Sequence, residues 1–217
     1  MSFVHGPTGG SLESRKDFLG ALDIDYRSVV CLRQVHGDRV IRAGEGDRGK
    51  GALSQESALA DADALITNVR GLPLAVFTAD CLSIFLFDPQ SLAIGIVHAG
   101  WRGTKAGIAA KTVELMKNEF SLDPKGLLAG FGPSIRKCCY SVGEEFTGDF
   151  GSFVSKRDGV FYLDLVRANQ EQLFRAGIGP DKIGDCAICT FCSAGEFFSH
   201  RQDKQGCGRS ISVIMLR

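Results

Sequence analysis

The chain has 217 residues, and no Pro/Gly/Ser-rich linker divides it, so residues 1–217 are read as one domain. Hydrophobic residues make up 44% and charged residues 23%, the balance of a globular protein with ample core rather than a disordered chain. Twenty-five Lys and Arg face 25 Asp and Glu, which excludes a broad basic footprint and leaves no nucleic-acid partner to be expected.

The chain opens without a basic stretch leading into an apolar one, so no secretory signal is expected. Residues 6–11 read as loop and 12–22 as a short helix. Strands are expected at 28–34 and 39–43, with His36-Gly37-Asp38 as a hairpin turn between them. Residues 44–57, rich in Gly and charge, read as an exposed loop. A strand-rich block then runs from 62 to His98. Within it, 74–87 is strongly apolar apart from a break at Asp80-Cys81, and Pro73 and Asp80 keep it from being a membrane span. A cytoplasmic protein with no membrane partner is therefore expected, its eight cysteines read as thiols or ligands rather than disulfides.

After Gly103, residues 104–120 carry helical spacing, with Thr104 as N-cap and Pro124 beyond the end. A short strand at 127–131 and a brief helix at 143–150 follow. A second helix spans 163–176, with Gly177 as its stop. Residues 183–190 and 209–216 read as closing strands. Strands outnumber helices and several adjoin, which predicts an α+β protein with mixed sheets rather than a doubly wound one.

A carboxylate and a thiol inside an apolar run need a reason, because an unpaired buried charge costs more than a fold can spare. If 74–87 is two strands broken at Asp80-Cys81, the thiol sits at a strand end. The run 92–97 ends directly on His98, and 29–35 ends on His36. Three strand ends would thus bring His36, Cys81 and His98 to one rim. One thiolate and two imidazoles suit zinc, with an open fourth position when the site is catalytic. Asp80 reads either as the partner that orients a histidine, as a general acid/base beside the metal, or as half of a buried salt bridge. Arg102, ahead of the expected helix start, is placed to hold an anion. Cys186, Cys189 and Cys192 carry a C-x-x-C-x-x-C spacing, but in an expected strand positions three apart face opposite ways, so they read as unconnected thiols. Cys138-Cys139 reads as packing.

Taken together, these segments resemble the YfiH-like family, whose members carry the labels multicopper polyphenol oxidoreductase, laccase and peptidoglycan editing factor. The resemblance rests on Gln34-Val35-His36-Gly37, Ala62-Asp63-Ala64-Leu65-Ile66-Thr67, Thr78-Ala79-Asp80-Cys81 and His98-Ala99-Gly100-Trp101-Arg102-Gly103. It continues through Gly132-Pro133-Ser134-Ile135, Cys139-Tyr140, Asp164-Leu165, Cys189-Thr190, Phe197-Phe198-Ser199-His200-Arg201 and Gly208-Arg209. It implies an α-β-β-α layered sandwich and a zinc held by His36, Cys81 and His98. It also implies phosphorolysis of adenosine, inosine, guanosine or methylthioadenosine to base and sugar 1-phosphate, together with deamination of adenosine. Asp80, Cys81 and Arg102 are then the expected catalytic residues. Gln34, Arg102, Arg201 and Arg209 are expected to bind the nucleoside and phosphate.

Two alternatives stay open: copper-dependent polyphenol oxidation, and editing of peptidoglycan precursors. Family members usually carry a Thr-Arg ahead of the Gly-Gly loop, and residues 3–10 lack that arginine; Arg15 is the substitute nearest in sequence. The oligomeric state is not legible.

Overall fold

The computed structural model describes residues 8–204 and 206–217. Part of the expected loop at 6–11 lies outside them, and from Thr8 the chain is already helical. In chain order the elements are α1 (Thr8–Gly20), β1 (Val30–Cys31), β2 (Val40–Arg42), β3 (Ala64–Thr67), β4 (Leu74–Thr78), β5 (Leu82–Asp88) and β6 (Ala93–Ala99). Then come α2 (Trp101–Lys105), α3 (Ile108–Phe120), β7 (Leu128–Phe131), β8 (Ser141–Val142), α4 (Phe146–Phe150), β9 (Val154–Arg157) and β10 (Val160–Leu163). The chain closes with α5 (Leu165–Arg175), β11 (Ile183–Asp185), α6 (His200–Asp203) and β12 (Ser210–Ile214).

Side-chain alternation along the strands dictates four layers. The large sheet runs β11-β7-β5-β6-β3-β2, and β1-β4-β12 form a smaller one. On β6, Ala93, Val97 and Ala99 pack one way, with Ile84 and Leu86 of β5 and Val113 and Met116 of α3. Ile94 and Ile96 pack the other way, against Val30, Leu74 and Val76 of the small sheet. Period-two pleating thus makes each face of the large sheet apolar, and burying each such Ile or Val contributes about 1.5–3 kcal/mol. The far face of the small sheet shows Ala75 and Ile211, which are covered by Leu19 of α1. The order is α1, small sheet, large sheet, α3 with α5: the expected α-β-β-α sandwich with mixed sheets. A third sheet, β8-β10-β9, is antiparallel throughout.

Three expectations at the level of elements need correction. His36-Gly37-Asp38 is not a hairpin turn, because β1 pairs with β4 in the small sheet whereas β2 pairs with β3 in the large one. The helix expected at 104–120 is two helices, broken at Gly107, whose φ of 83° is left-handed. Its first piece starts at Trp101 with Gly100 as N-cap, and Thr104 is buried, its hydroxyl accepting from Asn169 Nδ2 at 2.9 Å. The strand expected at 183–190 stops at Asp185. Residues 44–57 are the expected loop, mostly exposed, with Gly51 and Ala52 buried and the Arg15 guanidinium donating to the Ala52 carbonyl at 2.7 Å.

Candidate metal centre

The centre sits where the chain passes between the two stacked sheets. Twice the backbone crosses from the small sheet to the large one, at residues 32–39 between β1 and β2 and at Ala79-Asp80-Cys81 between β4 and β5. Each crossing turns sharply through a residue with left-handed backbone, His36 at φ 60° and Asp80 at φ 80°. β5 and β6 pair antiparallel with Ser83 opposite His98 and Leu82 opposite Ala99, so the residue just before β5 lies beside the end of β6. Cys81 and His98 are thereby neighbours, and His36 arrives from the other crossing.

The ligand atoms of His36, Cys81 and His98 lie within 4.8 Å of one another. The two imidazoles meet edge-on, ring centroids 4.7 Å apart and 83° between planes. His98 is buried and its Nδ1 is 2.7 Å from Asp63 Oδ1. A carboxylate only accepts, so Nδ1 carries the proton and Nε2 is left for a metal. The same carboxylate accepts the backbone N–H of His36 at 3.0 Å and of Gly37 at 2.7 Å. Asp63 is fully buried and so orients both histidines at once.

The glycines around the triad follow from packing. A Cβ on Gly100 would come within 3.0 Å of Cys81 Sγ and 3.4 Å of His36 Cδ2, and one on Gly103 within 2.7 Å of the Gly37 carbonyl oxygen. Charge is coupled across the site. Burial pushes the Cys81 thiol up, but the His98 imidazolium and hydrogen bonds from both histidines outweigh it and bring it down to about 6. Burial likewise disfavours charge on His98, yet the Cys81 thiolate and the Asp63 carboxylate raise it above its ordinary value. For Asp63, burial is opposed by its bond to His98, and the net direction is down. The donor set is therefore a soft thiolate with imidazoles, which fits zinc.

The triad divides two cavities. The larger, about 420 Å³, is lined by Gln34, Phe77, Gln55, Arg15 and Arg209 as well as the triad. The smaller, about 270 Å³, is lined by Asp80, Trp101, Arg102, Tyr140 and Arg201. His36, Cys81 and His200 line both.

The Asp80 carboxylate does not orient a histidine; Asp63 does that. Nor does it pair with a guanidinium. Its Oδ1 accepts the Thr190 hydroxyl at 2.6 Å and its Oδ2 the Arg201 backbone N–H at 2.7 Å, so it ties two distant loops to the rim. Gln34 faces the larger cavity, but its amide is bonded at both ends to the Phe77 backbone, at 2.9 and 2.8 Å. Arg102 is not ahead of a helix but inside the five-residue α2, exposed and stacked over Trp101 at 4.5 Å. Arg201 donates to Ser141 from its guanidinium, and Arg209 to the carbonyls of Cys207 and Gly208. Arg15 reaches the cavity from α1, its guanidinium 4.8 Å from the Phe77 ring centre.

His200 and Tyr140 also line the site, and nothing in the sequence beyond their place inside the family motifs marks them. The reading of unconnected thiols also needs correction: Cys189 and Cys192 meet Cys138 and Cys139, while Cys186 stands apart.

Comparison with known proteins gives the family and the fold. Residues 11–217 match the family model described as multi-copper polyphenol oxidoreductase laccase. A relative from Geobacillus stearothermophilus named purine nucleoside phosphorylase YlmD is 34% identical over 85% of this chain and 71% of its own length. A protein from an unknown prokaryotic organism, named an adenosine deaminase, is 34% identical over 94% of this chain and 80% of its own. The crystal structure of a Bacillus licheniformis hypothetical protein, YfiH, superposes with a TM-score of 0.93 at 33% identity, covering 97% of this chain and 82% of the other.

Proposed function

The chain belongs to the multi-copper polyphenol oxidoreductase laccase family, and its relatives are named as a purine nucleoside phosphorylase and an adenosine deaminase; we propose that it is itself a purine nucleoside enzyme, and that it depends on zinc. Its reactions are phosphorolysis of adenosine, inosine, guanosine or methylthioadenosine, and deamination of adenosine. In the first, the bond from C1′ to the base breaks, a phosphate oxygen bonds C1′, and the base leaves with a proton. In the second, water adds at C6 and ammonia leaves.

The observation that carries this reading is the convergence of His36, Cys81 and His98 between two cavities, one of nucleoside size and one edged by arginines. A zinc ion held by the three supplies Lewis acidity and makes water acidic enough to serve as a nucleophile near neutral pH. The residues do the rest. Phe77 and Gln34 border the base and sugar in the larger cavity. Arg102 and Arg201, with fork-shaped donors suited to phosphate, hold it in the smaller one. Asp80, beside them, serves as the proton acceptor and donor at the reacting bond.

Copper oxidation of phenols is the reading that the family's description suggests. A multicopper oxidase builds its centres from a large histidine set, and this chain has four. Among the described residues no methionine is placed as the axial ligand of a lone His₂Cys copper site: Met116 is in the main core and Met215 packs with the α1 layer. The deciding experiment is metal analysis of the untagged protein combined with chromatography of adenosine incubated with and without phosphate. Bound zinc with inosine formed in both samples, and adenine only with phosphate, is the expected result. Copper with phenol turnover and no purine product overturns it. Arg102→Ala is expected to raise the phosphate requirement at least several-fold and to spare deamination.

A further inference from the structure

We propose that Cys138, Cys139, Cys189 and Cys192 form a second metal site, a zinc tetrathiolate that clamps the 136–140 turn to the 189–193 turn beside the cleft. It is independent of the nucleoside reading and shares no residue with the triad.

The sulfurs of all four lie within 4.8 Å of one another. Cys192 Sγ is 3.3 Å from Cys139 Sγ and 3.9 Å from Cys138 Sγ. Zinc–sulfur bonds of about 2.3 Å in a tetrahedron separate the sulfurs by about 3.8 Å, so the four already surround a volume of the right size. A span this short suits a single ion. An iron–sulfur cluster spreads its thiolates wider.

The two turns are held in place by other bonds, so the ligands do not depend on the ion to meet. Ser134 and Cys189 form a parallel bridge, with the Thr190 N–H donating to the Ser134 carbonyl at 3.1 Å. Arg136 spans the gap: its guanidinium grips Asp185 through two bonds of 2.7 and 2.8 Å and donates to the Ile188 carbonyl at 3.1 Å. A three-residue turn folds 137–139 back, which lets adjacent cysteines converge where a strand would send them to opposite faces.

Four thiolates on one Zn²⁺ leave two negative charges, and uptake releases the protons that the thiols held. Arg157 donates to the Cys138 carbonyl at 3.0 Å, while Arg136 and Lys137 are paired with Asp185 and Asp164. Among the described residues, no other group of three or more metal-binding side chains exists beyond the triad.

The clamp has a consequence for the cleft. Tyr140, next to Cys139, lines the smaller cavity, and Thr190, next to Cys189, holds Asp80. An ion here braces both from outside the reaction space.

The test uses the full chain carrying Cys81→Ala, which removes the triad's thiolate. Purified under reducing conditions and loaded with Co²⁺, it is expected to bind one ion with intense thiolate-to-cobalt absorption of a tetrahedral site. Adding Cys192→Ser or Cys139→Ser abolishes that absorption. Wild type is expected to carry two zinc ions, and Cys192→Ser or Cys139→Ser made alone, with Cys81 kept, one. Cobalt uptake by Cys81→Ala without thiolate bands overturns the proposal. So does an intact mass showing a Cys139–Cys192 disulfide in protein that takes up no second ion under reductant. The readout on Cys81→Ala needs no change in the cluster, so a serine variant that fails to fold leaves the proposal decidable. A single zinc in wild type with full purine turnover would reject this site alone.

Discussion

The molecule carries two clusters of soft ligands, and they are built in opposite ways. His36, Cys81 and His98 stand on strand ends and sheet crossings, held by Asp63 and by a fully buried β6. Cys138, Cys139, Cys189 and Cys192 stand on turns held together by one bridge and one arginine. The first is preorganised by the core and leaves a ligand position free for chemistry. The second supplies four protein ligands and no free position, the pattern of a structural site. Rigid framing goes with the site that must act, and closure with the site that only holds.

That contrast can be sharpened by variants on the framed side. The largest effect is expected from Asp63→Asn, which removes the charge and turns one of the two oxygens that accept from His98 and the 35–37 backbone into an NH₂ donor facing those N–H groups. Zinc affinity at the triad should fall about 10–100-fold, read by competition with a chromophoric chelator, and cobalt absorption from the four cysteines should not change. Equal affinity would mean that the carboxylate positions neither histidine. Gly103→Ala comes next. Its Cβ meets a backbone carbonyl at 2.7 Å, so the crossing must move, at a cost of about 1–3 kcal/mol. In a chain of this size calorimetry should register roughly 2–4 °C per kcal/mol. A melting point equal to wild type would show that the 35–37 crossing is free to yield.

Gly100→Ala is milder, because the nearest atoms, Cys81 Sγ at 3.0 Å and His36 Cδ2 at 3.4 Å, belong to side chains. It should weaken triad metal binding a few-fold with the melting point kept, and a lower melting point with unchanged metal binding would contradict it. The smallest signal is optical. With the Cys81 thiol lowered from its ordinary value to about 6, the metal-free protein holds a thiolate at pH 7 and loses it as pH falls through about 6. The ultraviolet thiolate difference between wild type and Cys81→Ser should follow that course. A difference that appears only above pH 8 would mean that the imidazoles do not stabilise the sulfur.

How much of this was legible in the sequence follows from distance along the chain and from the local code. The triad was readable because each ligand ends a hydrophobic run, and runs report strands. Asp63 was visible as a motif residue, but its role was given to Asp80. Both are acids inside apolar stretches, and only tertiary register decides which one faces His98. The cysteine cluster was misread because the C-x-x-C-x-x-C spacing drew attention to Cys186, while the true partners lie about fifty residues upstream. The assumption of a strand through 190 compounded this, since the chain leaves the sheet at Asp185 and turns. The β9–β10 hairpin went unread although Asp158-Gly159, at φ 50° and 79°, is the residue pair that a two-residue turn of this kind demands. No composition rule could show that Gly51 and Gln55 line a cavity, because Arg15, Gln34 and Phe77, which line it with them, come from other parts of the chain.

The most direct test of the account is adenosine turnover and metal content measured together on Cys81→Ala and His98→Ala, each checked for an intact fold. The account predicts that both lose the triad's zinc, keep the ion of the four cysteines, and form neither inosine nor adenine. Product formed at the wild-type rate by either variant, with the triad's metal absent, would contradict it.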